Sequence, residues 1–232
     1  MKVGRRRAKK EVKFRFSFVI LFFAASFLCC FALYMKENQP ESYYESGGEI
    51  IPAAAAGKTQ YAGDRQKTMR YLKSCIFAGG INAEKMAEFG YISEDNLLCG
   101  GDINVERVSE AVSVKYITAL YLMPDISSES RFDEEIKAYE DIAAAVQRDF
   151  PDIDIYMTLL PPSADISQTE VSDSINVLLT SFSKENGLYC LDISSVLKDK
   201  NGTLPDIYSS DEGMEREAYG IITSYILSHT AG

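Results

Sequence analysis

Few side chains in this chain could do chemistry, and most of them stand beside glycine. Gly79-Gly80 closes the apolar run Cys75-Ile76-Phe77-Ala78, and a helical pattern follows at once. A buried strand that feeds a tight turn and a helix N-terminus reads this way, and such a terminus can receive an anion. Two glycines alone are a weak signal, and neither a Walker sequence nor a dinucleotide fingerprint is present. Cys99 precedes Gly100-Gly101-Asp102 and would hold a thiol beside glycine N–H groups. A reactive thiolate needs a basic neighbour, so a strand-end thiol is the plainer reading. Asp152 and Asp154 alternate about Ile153, which is weak as a metal site without a histidine or a partner acid. Glu84 and Lys85 read as a solvated helix face, and Asp133-Glu134-Glu135 as acids at a helix N-terminus.

The chain has one histidine, His229. A general base must come within about 3 Å of its nucleophile. If the last helix starts near Met214, His229 lies roughly 20 Å along it. It is expected to be a polar or cationic helix C-terminus and no base.

Alternating elements must position these groups. Strands are expected at Cys75–Ala78, Leu97–Cys99, Tyr116–Met123, Ile153–Leu159 and Leu188–Leu191. Helices are expected at Asp64–Lys73, Asn82–Phe89, Val105–Val112, Arg131–Phe150, Glu170–Lys184 and Met214–Ser228. Phe132, Ile136, Tyr139, Ile142 and Val146 share one side of their helix, and Val171, Ile175, Leu178 and Phe182 form a stripe on the next. Asn186-Gly187 has the composition of a left-handed C-cap. Tyr116–Met123 is nearly all apolar, as a central parallel strand buried on both faces should be. Alternation over about 150 residues predicts a three-layer α/β/α sandwich with a parallel, flavodoxin-like sheet. Ligands bind such sheets at the carboxyl ends of the strands. The segments expected there are Gly79–Ile81, Gly100–Asp102, Pro124–Ser127, Leu160–Ser163 and Ser209–Gly213.

From Leu72 to the C-terminus, the order of pieces resembles the SGNH/GDSL esterases. Gly79-Gly80-Ile81 is similar to the Gly-Asp-Ser nucleophile turn. Cys99-Gly100-Gly101-Asp102 is similar to the second block, whose glycine N–H helps hold an oxyanion, and Gly101 is the nearest match. Phe150-Pro151-Asp152-Ile153 resembles the family's strand entry. Leu191-Asp192-Ile193 and the later Asn201-Gly202-Thr203-Leu204 resemble its next segment. Glu217-Ala218-Tyr219 resembles the start of its last helix. The resemblance implies an SGNH-hydrolase-like fold, but the chemistry-bearing positions are not kept. The nucleophile position is Ile81. Leu122-Met123-Pro124-Asp125-Ile126 stands where a Gly-x-Asn is expected. The histidine position falls on Gly213 and the acid position on Ser210, or on Asp211 after a one-residue slip. The expectation is an inactive domain that binds a cell-envelope glycan, an acylated ligand or a protein. Gly79, Gly80, Gly101, Asp102, Asp125, Ser210 and Asp211 are its candidate contacts, with no metal or cofactor. Two alternatives stand beside it. One is an active hydrolase with Ser163, Ser209 or Ser210 as a relocated nucleophile near Asp211 or Glu212. The other is an assembly partner that works through its surface.

Composition divides the chain. Residues 1–15 are basic, and Phe16–Met35 is a run of 20 uncharged residues. Twenty helical residues span about 30 Å, the thickness of a hydrocarbon core. A basic flank places the N-terminus in the cytoplasm. The run is longer than a signal-peptide core, so a retained anchor is expected. Residues 36–63 read as a linker that contains Pro40, Gly47-Gly48, Pro52 and Ala53–Ala56, and residues 64–232 as the extracytoplasmic domain. The first 35 residues hold eight of the 24 basic and one of the 34 acidic side chains, which leaves 16 against 33, or −17. A domain this acidic is a poor partner for nucleic acid or anionic lipid. Cys75, Cys99 and Cys190 are too few and too widely spaced for a disulfide framework.

Overall fold

The computed structural model describes residues 65–114, 116–210 and 213–229. The expected anchor and linker, residues 16–63, lie outside the described residues. Among the described residues no helix is long and apolar enough to cross a membrane.

Helix α1 (Arg65–Lys73) leads into strand β1 (Cys75–Gly79), followed by α2 (Ile81–Glu88), β2 (Leu97–Leu98) and α3 (Val105–Val114). Next come β3 (Ala119–Met123), α4 (Phe132–Asp149), β4 (Asp154–Thr158), α5 (Ile166–Glu185) and β5 (Tyr189–Leu191). The chain ends with α6 (Ile193–Leu197), a hairpin of β6 (Ser209–Ser210) and β7 (Gly213–Met214), and α7 (Arg216–Ser228). The five-stranded sheet has the order β2-β1-β3-β4-β5, with every pairing parallel. This is the flavodoxin-like order, and its direction reverses between β1 and β3.

Strand alternation sends side chains to two cores. Cys75, Phe77, Ala119, Tyr121, Met123, Tyr156, Tyr189 and Leu191 face α1, α2, α6 and α7. Ile76, Ala78, Leu120, Leu122, Ile155, Met157 and Cys190 face α3, α4 and α5. These are the three expected layers. On the first face Phe77, Tyr121, Tyr156 and Tyr189 stand in register and stack, with ring centroids 4.9, 4.8 and 5.0 Å apart. The Tyr71 and Tyr121 hydroxyls share a 2.6 Å hydrogen bond across this core. Burial pushes both phenols well above the usual range.

The expected apolar side of α4 is buried throughout. The stripe on α5 is corrected at Val171, which is exposed. The buried side there runs through Thr169, Ile175, Asn176, Leu179 and Phe182. Strand β3 begins three residues later than Tyr116, because its first partner is Cys75 against Ala119. Gly187 caps the region after α5 with φ +66°, as its composition implied. Cys75 and Cys190 are buried thiols and Cys99 is half-buried, and among the described residues none of the three forms a disulfide.

Candidate functional site

The crevice expected at the sheet reversal lies between the ends of β1 and β3, and the two strands meet there closely. The Gly80 N–H donates to the Met123 carbonyl at 3.1 Å. A Cβ on Gly79 would stand 2.3 Å from that same oxygen, and one on Gly80 would stand 2.5 Å from the Asp125 Cβ. The glycine pair is therefore required by the approach of β3. The Gly80 carbonyl then accepts from Ala83 and Glu84 and opens α2. Gly79, Gly80 and Asp125 are thus brought together, with the Asp125 carboxylate exposed beside the turn.

Ile81 is the first residue of α2 and is 46% exposed. It seals no cleft. Its neighbour Asn82 accepts a hydrogen bond from the Tyr219 hydroxyl at 3.3 Å. Burial, then the nearby Glu88 carboxylate, pushes the Tyr219 phenol up to about 12. The loop after β3 is fixed by Glu135, which accepts from the Ser127 N–H at 2.9 Å and its hydroxyl at 3.0 Å. Arg131 pairs at 2.9 Å with the same Glu135 oxygen that accepts from the Ser127 hydroxyl.

The second glycine block follows β2, the neighbour of β1. Gly100 has φ +56°, a conformation that favours glycine. Gly101 is exposed, and its carbonyl accepts from the Asn104 side chain at 2.8 Å. Asn104 also accepts from the Arg107 N–H at 3.0 Å and so caps α3. The Asp102 side chain lies outside the described set.

Ser210 pairs with Gly213 in the β6–β7 hairpin, and its hydroxyl donates to the Gly213 carbonyl at 3.3 Å. Helix α7 starts directly after this hairpin, and its first turn docks on the residues that follow α2. Arg216 donates to the Phe89 carbonyl at 2.6 Å, and the Tyr91 hydroxyl donates to the Arg216 carbonyl at 3.0 Å. Helix α2 is about 12 Å long at 1.5 Å per residue, and the first turn of α7 spans it, with Arg216 at the Phe89 end and Tyr219 reaching Asn82. No hydrogen bond or ion pair joins Ser210 to the Gly79–Gly80 turn among the described residues. Asp211 lies outside them.

His229 caps the C-terminus of α7, about 20 Å along the axis from Arg216. It stands at the helix C-terminus, as expected. The ring is buried and stacks on Tyr225 at 4.0 Å, with Nδ1 3.0 Å from the Tyr225 carbonyl. Serines near the strand ends are held in local caps. Ser163 donates to Gln168, and Ser195 donates to Asp192 at 2.6 Å. The His229 Nδ1 also lies 2.9 Å from the Ser228 hydroxyl, a local contact in the last turn of α7, and no metal-ligating cluster occurs among the described residues. Sequence reading missed the Asn82–Tyr219 and Arg216–Phe89 ties. Their partners lie 137 and 127 residues apart, and no local pattern marks them.

Solved structures of GDSL-type lipolytic proteins are similar to this chain. A GDSL-like lipase from Bacteroides thetaiotaomicron shares 14% identity at a TM-score of 0.49, over 74% of this chain and 95% of that one. A G-D-S-L family protein from Veillonella parvula shares 13% identity at a TM-score of 0.42, over 67% and 96%. A variant of an acetyl xylan esterase from Geobacillus stearothermophilus shares 10% identity at a TM-score of 0.43, over 67% and 94%. No family model and no curated protein matches the sequence.

Proposed function

We propose that this chain is a membrane-anchored SGNH/GDSL-hydrolase-like domain that has given up ester hydrolysis and acts by binding. Its ligand is a component of the cell envelope: a glycan, an acylated polymer or a protein. The observation that carries this reading is Ile81, exposed on the first turn of α2 where the resemblance expects a serine. Acyl transfer needs a placed nucleophile, a base and an oxyanion donor. The one histidine is buried at the far end of α7. An exposed apolar side chain beside a free carboxylate, Asp125, suits recognition at the strand ends better than a filled, silent cleft does.

The test is labelling of the full chain in detergent by a fluorophosphonate probe, together with turnover of p-nitrophenyl acetate. The parent and Ile81→Ser should both stay at the level of a heat-unfolded control, because a serine at 81 has no base. Labelling of the parent that is lost in Ser163→Ala or Ser210→Ala would overturn the reading in favour of a relocated nucleophile.

A further inference from the structure

The chain holds two Asn-Gly pairs, Asn186-Gly187 and Asn201-Gly202. Asparagine is a thermolabile side chain. A following glycine exposes its own nitrogen to it, because no Cβ stands in the way. The fold treats the two pairs differently. Asn186 caps the long helix α5 and is half-buried. Its N–H and its side-chain amide both donate to the Phe182 carbonyl, at 3.0 and 2.9 Å. Gln147 of α4 donates to the Asn186 carbonyl at 2.8 Å, so a second helix holds it. Asn201 is exposed on the turn after α6. Its N–H donates to the Asp199 Oδ1 at 2.8 Å and its Nδ2 to the Asp199 Oδ2 at 3.0 Å. The Gly202 N–H donates to the Asp199 carbonyl at 3.0 Å. Two anchors bracket this turn. Lys198 pairs with Asp173 of α5 at 2.7 Å, and the Leu204 N–H donates to the Ser163 carbonyl at 2.9 Å. Between them, residues 199–203 bond only to one another among the described residues.

We propose that Asn201 is a site of spontaneous covalent modification, converted to aspartate and isoaspartate with water as the co-reactant. An exposed turn held only by its own bonds opens at low cost. Opening frees the Gly202 nitrogen from the Asp199 carbonyl. That nitrogen attacks the Asn201 Cγ. A C–N bond closes a succinimide ring, the Cγ–Nδ2 bond breaks, and Nδ2 leaves as ammonia with the proton that Gly202 loses. Water then adds to either ring carbonyl, and the C–N bond at that carbon breaks. Addition at Cγ leaves aspartate. Addition at the Asn201 carbonyl carbon leaves isoaspartate, whose main chain runs through Cγ. Both products lose the Nδ2 donor and set a second carboxylate against Asp199, where like charges repel. Isoaspartate also lengthens the backbone of the turn. Modification therefore loosens residues 199–203 while the anchors at Lys198 and Leu204 stay in place. The same reaction at Asn186 must first release the Gln147 bond, which lowers the open population about fivefold. The proposal is independent of the ligand proposed above.

The test is ageing of the full chain in mild detergent and mildly alkaline buffer, followed by peptide mass spectrometry that separates aspartate from isoaspartate. The peptide with Asn201 should gain the mass of an amide-to-acid exchange about fivefold faster than the peptide with Asn186. In strong urea the two rates should converge, because the fold sets the difference. Asn201→Gln should stop the reaction at 201 and leave the rate at Asn186 unchanged. An Asn201 peptide that stays intact, or that reacts no faster than Asn186, would overturn the proposal, as would a gap that persists in urea. Hydrogen exchange reads the consequence. Residues 199–203 should exchange faster in the aged chain than in the fresh one, while β4 keeps its protection. Equal exchange in a sample that carries isoaspartate would refute the loosening of the turn.

Discussion

Adding one methyl group at Gly79 tests whether the glycine pair answers to packing or to chemistry. The Gly79→Ala Cβ would stand 2.3 Å from the Met123 carbonyl oxygen and 2.6 Å from the Met123 Cβ. Gly79 and Met123 are register partners in the two central strands. The neighbour it strikes is backbone, and both strands are buried, so no rotamer change relieves the contact. Overpacking of a core costs about 1–3 kcal/mol, and a backbone collision belongs at the upper end, about 3 kcal/mol. With a urea slope of about 2 kcal/mol per molar, the midpoint should fall by roughly 1.5 M. The chain has no tryptophan, so tyrosine fluorescence of the full chain in mild detergent follows the transition.

Gly80→Ala separates the contacts further. Its Cβ would meet the Asp125 Cβ at 2.5 Å and Oδ2 at 3.0 Å. Asp125→Ala removes only the second contact and should not rescue Gly80→Ala. Asp125→Gly removes both and should recover part of the loss. Gly79→Ala would still meet the Met123 carbonyl oxygen at 2.3 Å whatever side chain stands at 123. A Gly79→Ala midpoint within about 0.3 M of the parent, or full rescue of Gly80→Ala by Asp125→Ala, would refute this account of the turn.

Two further outcomes follow from buried polar groups. Asn176 clamps the backbone after β4, accepting from the Leu160 N–H at 2.6 Å and donating to its carbonyl at 3.0 Å. Asn176→Leu orphans both buried groups and should cost about 2–4 kcal/mol, read as a lowered urea midpoint; an unchanged midpoint would contradict the clamp. Burial lifts the Asp154 carboxyl to about 6, above the unfolded value of about 3.9. The fold therefore binds this proton more tightly than the unfolded chain does. Its contribution is fully present below the unfolded value and is lost as pH rises through about 6. Asp154→Asn should flatten the fall in stability across that window, and an identical pH slope in both proteins would count against it.

The layered α/β order was legible because long helices and buried strands impose strong periods. Helix α4 shows this best, since all five residues of its expected side are buried or nearly so. Short elements have no period to read. Helix α6 has five residues and the β6–β7 strands two each, and none was anticipated. Tyr116 is apolar and precedes a strand, so sequence alone joins it to β3, whereas the pairing of Cys75 with Ala119 leaves it outside the sheet. At the candidate site the glycine turn was legible, but its cause was not. The atoms that demand Gly79 and Gly80 belong to Met123 and Asp125, more than forty residues along the chain.

The backbone at Gly213 bears on the inactivity proposed above. A histidine placed at Gly213 would need φ near +118°, a conformation that side-chain-bearing residues rarely adopt. The hairpin that holds Gly213 is fixed on one side by the Ser210 hydroxyl and leads on the other to Glu215, whose N–H donates to the Tyr208 carbonyl at 2.9 Å. From there Arg216 binds α7 to the end of α2, while Tyr219 reaches its first turn. The first turn of α7 is thus tied to both ends of α2. Pairing Ile81→Ser with Gly213→His should therefore leave ester turnover at the level of the heat-unfolded control, because the backbone at 213 must leave φ +118° to carry an imidazole and a base acts only within about 3 Å. Turnover of the double variant above that control would refute the argument.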